Sequence, residues 1–206
     1  MKRPTLADAA AVAGTGARQG ELFAAESWPE GFAYREEVIS PDEERALAEQ
    51  FALLPLTPFA FRGFVGRRRI VSFGWRYDYA GRTLRPSDEI PRLLMPLRER
   101  AADIAGLPAQ NLQQVLVTEY APGAAIGWHR DKPMFEDIVA LSFLAPCTLR
   151  LRRRREEGWD RRSIELMPRS AYLLRGPSRR DWEHSIPPLG ELRFSVTFRN
   201  LSAAAS

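Results

Sequence analysis

The last stretch of the chain alternates strictly. Leu192, Phe194, Val196 and Phe198 are apolar, and Arg193, Ser195, Thr197 and Arg199 fall between them. A period of two sends the first set to one face of a strand and the second set to the other. Apolar or alternating runs of strand length recur at Phe32–Ile39, Val115–Tyr120, Asp137–Leu144, Thr148–Arg152 and in parts of Ser163–Arg175. Two segments instead carry apolar residues at helical spacing. The first opens with Ser40 as N-cap, Pro41 at the first helical position and Glu43 three places after Ser40. That is a capping box with proline where its missing N–H does no harm. Its stripe is Ala46, Leu47, Phe51 and Leu54. The second, Ile90–Ala105, has Pro91 in its first turn, a stripe of Leu94, Leu97, Ala101 and Ile104, and Gly106 as its stop. Two helices followed by about eight short strands predict an α+β protein with a β-sandwich or barrel core.

Between and before these elements the chain changes character. Phe59-Ala60-Phe61-Arg62-Gly63-Phe64 leads into Arg67, Arg68 and Arg69, then Phe73-Gly74-Trp75-Arg76-Tyr77-Asp78-Tyr79 and the turn Ala80-Gly81. Such interleaving fits a hairpin with core aromatics and a solvated arginine face. It also fits a nucleic-acid surface, with guanidinium groups on phosphates and rings stacked on bases. Residues 1–30 are rich in Ala, Gly, Thr and Glu without a period. A flexible arm is expected there, followed by a single domain over residues 31–206.

Bulk properties add modest constraints. The formal charge is +4, with a sequence pI of about 9.6, a mild bias toward polyanions. Much of the excess sits in two runs, Arg67 to Arg69 and Arg152 to Arg155. On an alternating strand the second run must split between faces, giving either a solvated sheet edge or a second strand-contact surface. Cys147 is the only cysteine, so no intrachain disulfide forms. It reads as a small core residue in a reducing compartment. No stretch approaches the roughly 18 uninterrupted apolar residues of a membrane span. Lys2 and Arg3 precede an Ala-rich run that Asp8 and Gly14 interrupt, so a cytoplasmic, monomeric protein with no membrane partner is expected.

The chemistry centres on Trp128-His129-Arg130-Asp131. The chain has two histidines, His129 here and His184 in Asp181-Trp182-Glu183-His184. In an extended strand His129 and Asp131 project from one face, and His184 closes the site from elsewhere. A lone His-x-Asp is a weak signal. Two imidazoles and one carboxylate with open positions, however, form the ligand set of non-haem Fe(II) oxygenases. The terminal strand supplies the complement. Arg193 and Arg199 share a face with Ser195 and Thr197 between them, which leaves a hollow with a cation at each end. Arginine forks bind carboxylates bidentately. A short dicarboxylate that is also a 2-oxo acid would fit the hollow and chelate the metal, which points to 2-oxoglutarate with a position left for dioxygen.

With Val117-Thr118-Glu119-Tyr120-Ala121-Pro122-Gly123, Ile126-Gly127-Trp128-His129-Arg130-Asp131, His184-Ser185-Ile186 and Arg193-Phe194-Ser195-Val196-Thr197-Phe198-Arg199, the chain resembles the AlkB family of Fe(II)- and 2-oxoglutarate-dependent dioxygenases. The resemblance covers about residues 30–201. It implies a double-stranded β-helix (jelly-roll) core over about 112–201, two helices packed on one sheet, and a substrate lid hairpin over about 57–86. It implies iron on His129, Asp131 and His184. Arg193 would pair with the far carboxylate of 2-oxoglutarate, Arg199 would lie near Asp131, and Tyr120, Thr118 and Ser195 would line the cosubstrate. The implied reaction hydroxylates an N-methyl carbon of an alkylated base in DNA or RNA, releasing formaldehyde and succinate, with the base flipped out of its stack. Arg67, Arg68, Arg69, Trp75, Tyr77, Trp128 and Arg130 are then the candidate substrate contacts. Thr118 and Ser195 stand where many members carry Asn. Pro133 stands where DNA-repair members carry an acidic residue that reads the base, so the family's base preference does not transfer. A protein or small-molecule substrate for the same chemistry, or a basic RNA-binding module without catalysis, are the competing readings.

Overall fold

The structure, a computed structural model, describes residues 28–61, 64–79 and 81–203. The expected arm over residues 1–30 lies outside the described residues apart from its last three. The strands are β1 (Phe32–Arg35), β2 (Thr57–Phe61), β3 (Phe64–Phe73), β4 (Trp75–Asp78), β5 (Thr83–Pro86), β6 (Leu112–Tyr120), β7 (Ile126–His129), β8 (Phe135–Leu144), β9 (Cys147–Arg154), β10 (Trp159–Leu166), β11 (Ala171–Leu174), β12 (Glu183–Ile186) and β13 (Arg193–Leu201). The helices are α1 (Pro41–Ala52), α2 (Met95–Ala105) and the short α3 (Gly176–Arg180).

Seven strands form the major sheet in the order β1-β11-β8-β13-β6-β3-β2, and four form the minor sheet, β10-β9-β12-β7. All pairings are antiparallel, and β4-β5 stand apart as a hairpin. The two sheets face each other as a jelly roll, with β13 central in the larger one. Its apolar residues Phe194, Val196 and Phe198 are buried with Val115 and Val117 of β6 and Val139, Leu141 and Phe143 of β8. This face receives α1 through Phe51, α2 through Leu97 and Ala101, and the turn before α2 through Leu94. Phe51 meets Phe143 edge-on at 5.0 Å and Phe194 at 5.7 Å, geometries that add to the burial of a whole ring. A second cluster, including Ala140, Leu149, Leu151, Trp182 and Ile186, packs beside the site described below, and Ile186 also walls its cavity.

Several expectations need correction. The first strand stops at Arg35 rather than Ile39. Ser40 does cap α1, its hydroxyl accepting from the Glu43 N–H at 3.2 Å, but the Glu43 carboxylate pairs with Arg100 of α2 instead of completing a capping box. Ala46 is exposed, and the buried neighbour on α1 is Glu44. Glu44 accepts from the Leu144 N–H at 2.8 Å and pairs with Arg169 at 3.4 Å, so a carboxylate ties the helix to the end of β8. A 3-10 turn, Arg92–Leu94, precedes α2, and Gly106 ends it in the left-handed region at φ 62°. Leu192 lies outside β13 and is exposed, so the alternation begins at Arg193. No helix among the described residues is long and apolar enough to cross a membrane.

Candidate metal and cosubstrate centre

β7 and β12 pair with His184 directly opposite His129 and Ile186 opposite Ile126. Gly127 and Trp128 therefore face Ser185 alone, which makes a β-bulge. Ile126 and His129, three places apart, would otherwise point to opposite faces. The bulge returns both to the inner face, where both wall a cavity of about 180 Å³. The imidazoles of His129 and His184 lie 4.2 Å apart, centroid to centroid. Asp131 lies beyond the end of β7, on the loop rather than on the strand as expected. Its carboxylate still joins the pair: one ligand atom from each of His129, Asp131 and His184 lies within 4.8 Å of the others.

The protonation states suit a cation. Burial lowers the His184 pKa to about 3, helped by His129, and the pull of Asp131 does not restore it. At neutral pH His184 is uncharged, so its 3.5 Å approach to Asp131 is not an ion pair. Burial likewise lowers His129. The His129 Nδ1–H donates to the Gly127 carbonyl at 2.8 Å, which leaves the Nε2 lone pair for a metal. For Asp131, burial pushes the carboxyl up, but Arg199, His184 and His129 overcome it and hold it well below the usual carboxylate range. Arg199 Nη2 lies 2.8 Å from Asp131 Oδ1. Two neutral imidazoles and one ionised carboxylate are a ligand set ready for a divalent cation.

β13 forms the floor beside this cluster. Tyr120 of β6 stands opposite Arg193, Thr118 opposite Ser195 and Gln114 opposite Arg199, so these pairs share the inner face. Thr118, Tyr120, Ser195, Thr197 and Arg199 wall the cavity. Gln114 accepts from Arg199 Nη1 at 2.8 Å, and this orients the guanidinium toward Asp131. Arg193 is fully buried, with its guanidinium 5.1 Å from the Tyr120 ring centroid. One of its nitrogens donates to the Ser142 hydroxyl at 2.7 Å, while Nε and Nη1 have no partner. A buried cation with two unspent donors is costly unless an anion meets it. The far carboxylate of 2-oxoglutarate has the charge and the paired oxygens to do so. The donor sets thus fit both iron and cosubstrate. Ser142 and Gln114 carried no signal in the sequence, because strand register alone brings them to the arginines.

The candidate substrate contacts divide. Arg68, Tyr77 and Arg130 wall the cavity, joined by Phe59, Tyr79 and Lys132, which sequence reasoning did not single out. Arg69 lies on the opposite face of β3, where Nε and Nη2 grip both oxygens of Glu119 at 2.7 and 2.6 Å. Arg67 lies against Gly123, a turn residue at φ 81° where an added Cβ would sit 2.5 Å from Nη1. Trp75 is not among the cavity walls. Trp128 points out of the minor sheet, with the guanidiniums of Arg152 and Arg150 at 4.3 and 5.3 Å from its ring. Arg152 to Arg155 split as alternation requires. Arg152 pairs with Glu183 at 2.6 Å, Arg154 stacks over Trp159 at 5.4 Å, and Arg153 and Arg155 both pair with Asp160.

Known proteins share this architecture. A family model described as the 2OG-Fe(II) oxygenase superfamily matches residues 59–199. The chain is 30% identical over 147 residues to the alkylated DNA repair protein ALKBH8 homolog of Arabidopsis thaliana, a match that covers 60% of this chain but only 42% of the plant protein. It is 27% identical over 192 residues to the alpha-ketoglutarate-dependent dioxygenase AlkB of Salmonella typhimurium, covering 82% of this chain and 86% of that one. The solved structure of OsALKBH1 superposes with a TM-score of 0.65 at 14% identity, covering 85% of this chain and all of that one. The chain belongs to the 2OG-Fe(II) oxygenase superfamily, is an oxidoreductase that uses Fe(II) and 2-oxoglutarate, and is similar to proteins named AlkB and ALKBH8.

Proposed function

We propose that this oxygenase removes methyl groups from alkylated bases in DNA or RNA, releasing formaldehyde and succinate. The observation that carries the reading is one cavity with the His129-Asp131-His184 cluster at its base and Tyr77, Tyr79, Arg68, Arg130 and Lys132 around it. Rings that can stack on a base and cations that can meet phosphates stand where a flipped nucleotide would enter.

His129, Asp131 and His184 would hold the iron. Arg199 holds Asp131 Oδ1, which would leave Oδ2 for the metal. Arg193 would take the far carboxylate of 2-oxoglutarate on Nε and Nη1, and the hydroxyls of Tyr120, Thr118 and Ser195 would line its length. With iron, 2-oxoglutarate and dioxygen bound, the centre supplies oxidation of an N-methyl carbon coupled to decarboxylation of the 2-oxo acid. The resulting N-hydroxymethyl group breaks down by itself: the C–N bond cleaves, the hydroxyl proton is lost, the nitrogen regains its hydrogen and formaldehyde leaves. The protein's remaining task is to orient the methyl carbon and keep bulk water out. Tyr77 and Tyr79, edge-to-face at 4.9 Å, form the stacking wall for that purpose.

A panel of methylated oligonucleotides, single- and double-stranded, incubated with Fe(II) and 2-oxoglutarate and read by mass spectrometry, tests the proposal. Loss of the methyl group from at least one member is expected. Succinate formation with every oligonucleotide unchanged would move the chemistry to a protein or small-molecule substrate.

A further inference from the structure

The charge inside the cavity bears on which alkylated base can enter, an inference that rests on nucleic acid being the substrate. Lys132 Nζ lies 4.8 Å from the Tyr77 ring centroid and 5.1 Å from that of Tyr79. The Arg68 guanidinium lies 4.0 Å from the Phe59 ring centroid. The ring faces that would attract a positively charged base therefore already carry the protein's own cations.

Among the described residues that wall the cavity, Asp131 is the one carboxylate, against Arg68, Arg130, Lys132 and Arg199. It is engaged by Arg199 at 2.8 Å and belongs to the metal cluster. The sequence of residues 60–65 and 80, Ala60-Phe61-Arg62-Gly63-Phe64-Val65 and Ala80, contains no carboxylate either. Pro133, two places after Asp131, has no charge to offer and is exposed.

Alkylation at a ring nitrogen such as adenine N1 creates a fixed positive charge near neutral pH. Alkylation at an exocyclic amine leaves the base neutral, with its ring acceptors intact. A cation stacked against the wall that Tyr77 and Tyr79 form would approach the Lys132 ammonium, which already lies 4.8 and 5.1 Å from the two ring centroids, and like charges at such a separation repel appreciably even at the effective dielectric of a protein surface. A neutral base would instead accept from Lys132. We infer that the cavity selects neutral alkylated bases and rejects cationic ones, with Lys132 as the specificity-determining residue.

The test uses two single-stranded oligonucleotides that differ only in where one methyl group sits: 1-methyladenine, which is cationic, and its neutral isomer N6-methyladenine. Initial rates of demethylation are compared for the full chain with Fe(II) and 2-oxoglutarate, and binding of each oligonucleotide is measured by fluorescence anisotropy without iron. The wild type should process and bind the neutral isomer at least about tenfold better, a ratio that corresponds to about 1.4 kcal/mol. Lys132→Glu should move both ratios toward the cationic isomer by about tenfold or more, Lys132→Met should fall between, and Lys132→Arg should keep the wild-type ratio. A variant that merely disturbs the fold would lower both members of each ratio together. Equal or better processing of the cationic isomer by the wild type, or ratios unmoved in Lys132→Glu and Lys132→Met, would overturn the inference alone. Neither isomer altered or bound by the wild type would overturn it together with the nucleic-acid reading.

Discussion

Arg193 offers a perturbation with two readouts of opposite sign. Its guanidinium is fully buried, donates from one nitrogen to a neutral hydroxyl, and leaves Nε and Nη1 without partners. On the proposed role, those two nitrogens hold a carboxylate of 2-oxoglutarate. Each charge-assisted hydrogen bond contributes about 1.5–3 kcal/mol. Losing two in Arg193→Met therefore removes about 3–6 kcal/mol, or roughly two to four decades of affinity. Without cosubstrate the sign reverses, because exchanging a poorly partnered buried charge for an apolar chain of similar volume is neutral or stabilising by about 1–4 kcal/mol. Thermal melts with a redox-silent divalent metal read both effects. Wild-type protein at 2-oxoglutarate about a hundredfold above its Kd should gain about 2.7 kcal/mol, seen as a rise in Tm of roughly 5–10 °C. Arg193→Met should start at or above the wild-type Tm and gain almost nothing. A variant that melts lower without cosubstrate, yet shows the full rise with it, would refute the reasoning.

Further consequences can be read independently. Phe51→Ala removes the ring that α1 inserts between Phe143 and Phe194, and should cost about 3–5 kcal/mol in denaturant unfolding. Gly74→Ala would place a Cβ 2.1 Å from the Gln113 carbonyl at a backbone φ of 73°, so it should lower stability and, by displacing the β4 hairpin with Tyr77, raise the KM for an oligonucleotide substrate. Arg68→Ala and Arg69→Ala should separate cleanly. The first weakens oligonucleotide binding with little change in Tm, while the second loses the Glu119 pair and lowers Tm by a few degrees with binding intact. Binding losses in both would contradict the face assignment of β3. Gln114→Ala removes the partner that orients Arg199, and should lower kcat more than it raises the KM for 2-oxoglutarate.

The parts of this site that were legible in the sequence are those fixed by local periodicity. The alternation of Arg193 to Arg199 marked β13, its buried face and its polar face before any partner strand was known. Ser40, Pro41 and Gly106 marked helix ends for the same local reason. The jelly-roll fold followed from the order of elements and the resemblance. What local patterns do not encode is register. The bulge at Gly127 and Trp128 exists only against Ser185, and it decides that His129 and Ile126 share the cavity. The four residues of β12 are too few to show a period, and nothing in them announced that His184 faces His129. Lys132 lay unnoticed for a similar reason: its relation to Tyr77 and Tyr79 crosses from one loop to a distant hairpin. Some misplacements were avoidable. Three consecutive residues of a strand cannot share a face, so Arg67 to Arg69 could have been divided by alternation alone, and Trp128 set opposite His129.

Succinate release from 2-oxoglutarate, assayed with a methylated single-stranded oligonucleotide and with formaldehyde measured in the same tube, tests the site and its chemistry together. Release should require Fe(II), match formaldehyde mole for mole, and vanish in His129→Ala and His184→Ala proteins that still melt cooperatively. Undiminished succinate release by either variant would show that the iron is held elsewhere.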